Sequence, residues 1–282
     1  KIFRGLNCIF HPPQLKTPKY YCEERPPKMA SSSTTNNPRF LMFFDFDETM
    51  ISENSDDTVV NLLPNQQLPK WLLDSYREGH YHEFSGKITA YLAEQGITKD
   101  ALLSAVQKIP PNAGMLDLFR FLQSHQQDFE LVVVSDANTC FIERWLEHNK
   151  LGHLFRKVFT NPSHFDDSGR LVLQPFHSHS CPRCPDNMCK QVILREYMAG
   201  REKERGGVGF QRVFYAGDGS NDVCPTRALG PQDAAFARRD YPMHKLMMEM
   251  QQSESTEIKA NVVPWVTGAD IEDYLAKIMK ER

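Results

Sequence analysis

No stretch of this 282-residue chain approaches the ~18 apolar residues in a row that a membrane-crossing helix needs. That excludes an integral helical membrane protein. Residues 1–13 hold too short an apolar run for a secretory signal, so the reading is a cytosolic protein without a signal peptide. An excess of one charge is missing too: 33 Lys and Arg face 36 Asp and Glu, for a formal net charge of −3. Without a basic field there is nothing to hold a polyanion, and nucleic acid is excluded as a partner. Cysteine is scarce and odd in number, at seven, which argues against a secreted disulfide framework and for reduced thiols with at most one metal cluster. No internal repeat is visible. Residues 1–38 lack any sustained period, carry several prolines and end in the polar run Ser31-Ser32-Ser33-Thr34-Thr35-Asn36-Asn37-Pro38, so they read as a disordered leader outside the fold.

What is present is ordinary globular composition, 40% hydrophobic and 24% charged, enough for a sizeable core. Order begins at Phe40-Leu41-Met42-Phe43-Phe44, a continuous apolar run of strand length, as expected of a central parallel strand covered on both faces. Similar runs are Leu131-Val132-Val133-Val134 and Val213-Phe214-Tyr215-Ala216. Each is followed sooner or later by helical sequence, at 139–149, 188–198 and 222–229. Alternating strands and helices predict an α/β, doubly wound, mostly parallel sheet whose ligands sit beyond the carboxyl ends of the strands. Residues 52–111 show helical periods such as Leu68-Leu72-Leu73-Tyr76 and Ile88-Tyr91-Leu92, so they read as a small helical cap inserted after the first strand. The core is then 39–51 together with 112–282. Asp166-Asp167-Ser168-Gly169 reads as a hairpin turn joining Val158-Phe159 to Leu171-Val172-Leu173, and 267–279 as a terminal helix.

The chemistry gathers at the strand ends. Asp45-Phe46-Asp47-Glu48-Thr49 follows the first strand and sets two carboxylates on one face of an extended chain. Two acids at the mouth of an apolar strand repel unless a cation joins them, which suggests a divalent ion; an acidic helix cap is the plainer alternative. Gly217-Asp218-Gly219-Ser220-Asn221-Asp222 follows the third run, adding Asp218 and Asp222 at the same sheet edge, with glycines that allow a ligand close to the backbone. Ser135 ends the second run and would offer a hydroxyl to a phosphate oxygen or simply cap a helix. Lys190 would present a positive charge to phosphate or sit solvated on its helix.

D-x-D-x-T, a strand-end Ser, a Lys and G-D-G-x-x-D, in that order, resemble the motifs of the haloacid dehalogenase superfamily. The resemblance covers residues 39 to the end. Further matches at Glu53-Asn54-Ser55-Asp56-Asp57, Ser135-Asp136-Ala137-Asn138, 177–190 and Val263-Pro264-Trp265 are similar to the branch that hydrolyses phosphoethanolamine and phosphocholine. The resemblance implies Asp45 as nucleophile and Asp47 as general acid and base. It implies Mg²⁺ held by Asp45, the Asp47 carbonyl and Asp218 with Asp222 behind them, and Ser135 and Lys190 on the phosphate. Asp56 and Asp136 would meet a substrate amine; alternatively Asn54-Ser55-Asp56-Asp57-Thr58 simply caps the first helix of the insert, and Asp136 the helix after the second strand. It further implies phosphate release for skeletal mineralisation inside matrix-type extracellular vesicles. A relative in the same family prefers pyridoxal phosphate, which stays open as a substrate. A phospho-aspartate receiver-like module or an inactive binding module is the non-enzyme alternative; Asp47, placed to discharge an aspartyl-phosphate, argues against it.

Two features stand apart. His177, His179, Cys181, Cys184 and Cys189 crowd into thirteen residues and offer either a zinc site or a stiff cysteine-rich loop before Lys190. Trp71, Tyr76, Tyr81 and Tyr91 read as core of the helical insert rather than as an aromatic box for a cation.

Overall fold

The computed structural model describes residues 38–253 and 257–281; apart from Pro38, the expected leader lies outside them. Six strands form a parallel sheet in the order β3, β2, β1, β6, β7, β8. They are β1 (Phe40–Phe44), β2 (Phe129–Asn138), β3 (Phe155–Asn161), β6 (Arg212–Gly217), β7 (Ala234–Arg238) and β8 (Asn261–Trp265). Every residue of β1 is buried, and alternation along it decides which layer each side chain joins. Phe40, Met42 and Phe44 enter one hydrophobic cluster, and Leu41 and Phe43 enter another. Helices therefore have to cover both faces, the condition a doubly wound sheet satisfies.

The chain runs from β1 outward through β2 to β3, then returns to the other side of β1 with β6 and continues to β7 and β8. The order thus reverses between β1 and β6, where a crevice opens beyond the carboxyl ends of both strands. Asp45 and Asp218 are the residues that follow these two strands. On the other flank of β1, the pairing of β2 with β3 slips between Val134 and Asn138, which frees Ser135, Asp136 and Ala137 from the ladder at the same mouth.

Four helices lie between β1 and the next sheet-covering helix α5 (Met115–Ser124): α1 (Ser55–Val60), α2 (Lys70–Leu73), α3 (Tyr81–Glu94) and α4 (Lys99–Gln107). Their buried Val59, Leu72, Ile88, Leu92 and Val106 join the cluster that also holds Phe44, Phe119 and Trp145. Among the described residues the remaining α-helices are α6 (Thr139–His148), α7 (Lys190–Glu204), α8 (Val223–Thr226), α9 (Pro242–Gln252) and α10 (Gly268–Lys280).

Three expectations need correction. The hairpin is β4 (Ser163–Phe165) against β5 (Leu171–Leu173), while Val158 and Phe159 belong to β3 in the main sheet. The Leu68 to Tyr76 period yields only the short α2, opened by Pro69, and leaves Leu73 and Tyr76 exposed. In place of one helix over 222–229, a 3₁₀ turn over Ser220–Asp222 leads into the short α8, which ends at Thr226.

Candidate active site

Lys190 is the hub of the crevice. As the first residue of α7 it is 2% exposed, and its Nζ lies 2.8 Å from Asp45 Oδ1 and 2.7 Å from Asp222 Oδ1. The solvated-helix alternative is thereby removed. Burial works against the ammonium, but Asp222 and then Asp45 outweigh it and raise its pKa well above the ordinary lysine value.

Asp222 is saturated with donors. Its Oδ1 also accepts from the Tyr215 hydroxyl at 2.5 Å, and its Oδ2 accepts the N–H groups of Asp218 at 3.0 Å and Gly219 at 2.9 Å. This explains the first glycine of the loop, because a Cβ on Gly217 would come within 2.6 Å of the Asp222 side chain. Asp218 in turn accepts from Thr49 Oγ1 at 2.8 Å, which ties the two motifs to each other.

The turn after β1 is fixed from outside. Glu48 adopts a left-handed backbone (φ 52°), a conformation costing a non-glycine residue about 1–2 kcal/mol. Its carbonyl accepts from Asn112 Nδ2 at 2.9 Å and from Arg238 Nη1. Asn112 Nδ2 also reaches the carbonyls of Thr49 and Ile51. Asp47 is held by Ser55, whose N–H lies 2.9 Å from Oδ1 and whose hydroxyl lies 3.1 Å from Oδ2.

Helix capping does not occupy Asp56, Ser135 or Asp136: Asn54, within the segment expected to cap the first helix of the insert, and Asn138 do that work. Asn54 caps α1 by accepting from the N–H groups of Asp56 and Asp57, which leaves the buried Asp56 carboxylate to receive the Ser85 and Tyr81 hydroxyls. Asn138 caps α6, so neither Ser135 nor Asp136 does. Ser135 is fully buried, its hydroxyl taking the Ala137 N–H at 3.3 Å; Asp136 Oδ2 accepts from Asn221 Nδ2 at 3.0 Å.

Asp45, Asp47, Asp56, Tyr81, Asp136 and Asp218, among others, line one cavity with space for water of about 170 Å³, and among the described residues no Lys or Arg lines it. Such crowding shifts the acids upward. Burial, with Asp222 next, pushes Asp45 up to about 7 against the opposing pull of Lys190. Burial and Asp222 push Asp218 up to about 9. Asp47 is raised well above its ordinary value by burial, then by Asp56 and Asp45, and burial takes Asp56 to about 6. Asp45, Asp218 and Asp222 each bring an oxygen within 4.8 Å of the others. An all-oxygen set of buried carboxylates, short of positive charge, fits a hard divalent cation.

Sequence reasoning assigned no role to Thr49, Asn112, Tyr215, Asn221 or Arg238. Tyr81 alone of the four aromatics lines the cavity; Trp71 is exposed and stacks edge-on with Tyr91. Cys181, Cys184 and Cys189 come together, but their fourth neighbour is Cys224. His177 and His179 stand outside that group, accepting the N–H groups of Cys189 and Cys181.

A sheet that reverses between two aspartate-bearing strand ends, with a buried lysine across from them, defines a hydrolase of the haloacid dehalogenase type. The family model described as "Putative Phosphatase" matches residues 40–279, and the chain belongs to that family of phosphatases. A zebrafish (Danio rerio) relative described as "Probable phosphatase phospho1" is 51% identical over 276 residues, covering 98% of each chain. The human "Phosphoethanolamine/phosphocholine phosphatase" is 45% identical over 259 residues, covering 92% of this chain and 95% of its own. A solved phospho-aspartyl intermediate analogue of phosphoserine phosphatase matches with a TM-score of 0.57 at 18% identity, covering 84% of this chain and 99% of that one. At that identity the likeness speaks for the fold.

Proposed function

We propose that the chain is a Mg²⁺-dependent phosphomonoesterase whose substrates are phosphoethanolamine and phosphocholine. The observation that carries the substrate class is the cavity wall: Asp56 and Asp136 stand on it beside the reacting acids, and among the described residues no Lys or Arg does. Such a wall favours a cationic leaving group and disfavours a carboxylate such as that of phosphoserine. Names among the relatives support the same choice.

An Asp45 oxygen attacks phosphorus while the raised Asp47, held by Ser55, gives its proton to the departing alkoxide. The phosphoryl group is then bonded to Asp45, and the amino alcohol leaves. Asp47, now ionised, takes a proton from water, whose oxygen attacks the same phosphorus and frees inorganic phosphate and Asp45. Lys190 and Ser135 offset and orient the phosphoryl oxygens. Mg²⁺, when bound by Asp45, Asp218 and the Asp47 carbonyl with Asp222 behind them, supplies positive charge to the phosphoryl group. The helices within 52–111 serve as the cap over the site and carry Asp56. The setting implied by resemblance, phosphate release for mineralisation inside matrix-type vesicles, belongs to this proposal.

Steady-state kinetics on phosphoethanolamine, phosphocholine, phosphoserine and pyridoxal phosphate test the reading. The two amine esters should show the highest kcat/KM. A preference for pyridoxal phosphate or phosphoserine would overturn the substrate assignment.

A further inference from the structure

Four thiols from two separate parts of the chain meet beside Lys190. Cys181, Cys184 and Cys189 belong to the loop between β5 and α7, and Cys224 to α8; their sulfur atoms all lie within 4.8 Å of one another. We propose that these four cysteines bind one zinc ion as a closed structural site, an inference that does not depend on the substrate reading.

The geometry suits the metal. A tetrahedral tetrathiolate with zinc–sulfur bonds of about 2.3 Å has sulfur–sulfur edges of about 3.8 Å, and Cys181 Sγ stands 3.8 Å from Cys224 Sγ. Cys181 and Cys184 supply a C-x-x-C half-site on a turn, which is the common way for two thiols to share one ion. Cys189 and Cys224 complete it from the buried side. Zinc replaces the thiol protons and leaves a net negative cluster, so outer groups have to donate toward sulfur. The Val192 N–H does so to Cys189, and the Arg183 side chain to Cys224. His177 Nε2 accepts the Cys189 N–H at 3.0 Å and His179 Nδ1 the Cys181 N–H at 3.1 Å, which orients two ligand-bearing residues. With four protein thiolates no coordination position is open to substrate, so the site is structural.

Its position gives it a task. Cys189 directly precedes Lys190, and Cys224 follows Asp222 by two residues. The metal would clip together the backbones that carry the two ends of the 2.7 Å Lys190–Asp222 bridge. The same loop reaches the helical insert, where Asp186 lies 2.6 Å from His80 Nδ1 and 3.0 Å from His82 Nδ1.

The full chain, purified under reducing conditions without a metal-binding tag, should hold about one zinc per chain by plasma mass spectrometry. A thiol-blocking mercurial should release it. Cobalt-substituted protein should show thiolate-to-metal charge transfer and tetrahedral d–d bands. Cys184→Ser and Cys224→Ser should lose most of the zinc, while Cys140→Ser, outside the cluster, keeps it. Should a cluster variant fail to fold, the wild-type zinc content and cobalt spectrum still decide. Less than about a tenth of an equivalent of zinc, with no cobalt spectrum after refolding with the metal, would overturn the site. So would disulfides among these four cysteines in the freshly purified protein.

Discussion

Lys190 Nζ stands 2.7 Å from Asp222 Oδ1, in a bridge whose two side chains are 2% and 0% exposed. Removing the charge from one side of such a pair leaves the other buried and unmatched, at a cost of about 3–5 kcal/mol. Lys190→Met should therefore lower the denaturation midpoint strongly as well as abolish turnover. Added Mg²⁺ should restore part of the stability, because a divalent cation meets the same stranded carboxylates. A variant as stable as wild type in EDTA would mean the bridge contributes little to the fold.

The raised acids make stability depend on pH. Asp45 moves from 3.8 to about 7 in the folded protein, and Asp56 from 3.8 to about 6. Since the folded state holds these protons more tightly than the unfolded one, their stabilising contribution is complete below about pH 4. It is lost as pH rises through about 6 for Asp56 and about 7 for Asp45. Metal-free protein should consequently melt at falling temperatures between about pH 4 and 7, and saturating Mg²⁺ should flatten that decline, because it stabilises the ionised form. Parallel melting curves with Mg²⁺ and with EDTA would show that these carboxylates are not where the ion binds.

Asp45→Asn should fold and yet show no turnover, because a neutral amide is a poor nucleophile toward phosphorus. Asp47→Asn should lose about 10²- to 10⁴-fold, the usual range for a proton-transfer group. After a quench, phosphate should remain attached to its protein, since the group that activates water is gone. Asp45→Asn activity within about tenfold of wild type would end the covalent mechanism.

The sheet's heart and the carboxylates gathered at its crevice were legible because central parallel strands are unbroken apolar runs and ligand sites open at their carboxyl ends. The far side of the sheet was not. In β7, Ala234, Ala235 and Ala237 give little strand signal, since alanine has low β-propensity and tertiary burial decides. β8 contains Pro264, which usually argues against a strand but is tolerated at a sheet edge, where β8 lies. Cys224 escaped for a different reason. Spacing along the chain reveals ligands that share a loop, whereas Cys224 meets the other thiols only because α7 and α8 are neighbours in space. Asn112 and Arg238 act at a distance too, on a backbone turn, and such partners leave no local pattern.

Asp56 and Asp136 bring acids to the cavity from two different parts of the chain, one on α1 and one on the irregular end of β2. Both Asp45 and Asp47 line the same cavity, so the proposed nucleophile, its acid and these two carboxylates border one space. Tyr81 borders the same space and donates to Asp56. The nitrogen of choline has no N–H to donate, so the contact is an ion pair, worth about 4 kcal/mol at 4 Å in an effective dielectric of about 20, and each ~1.4 kcal/mol is tenfold in binding. Asp136→Asn and Asp56→Asn should each raise KM for phosphocholine by at least about tenfold, while turnover of a neutral aryl phosphate barely changes. The split between substrates is the informative reading, because a general loss of structure would lower both. Equal losses on phosphocholine and the aryl ester would assign these acids to the fold or to the cation site, and amine recognition would have to come from elsewhere in the cavity.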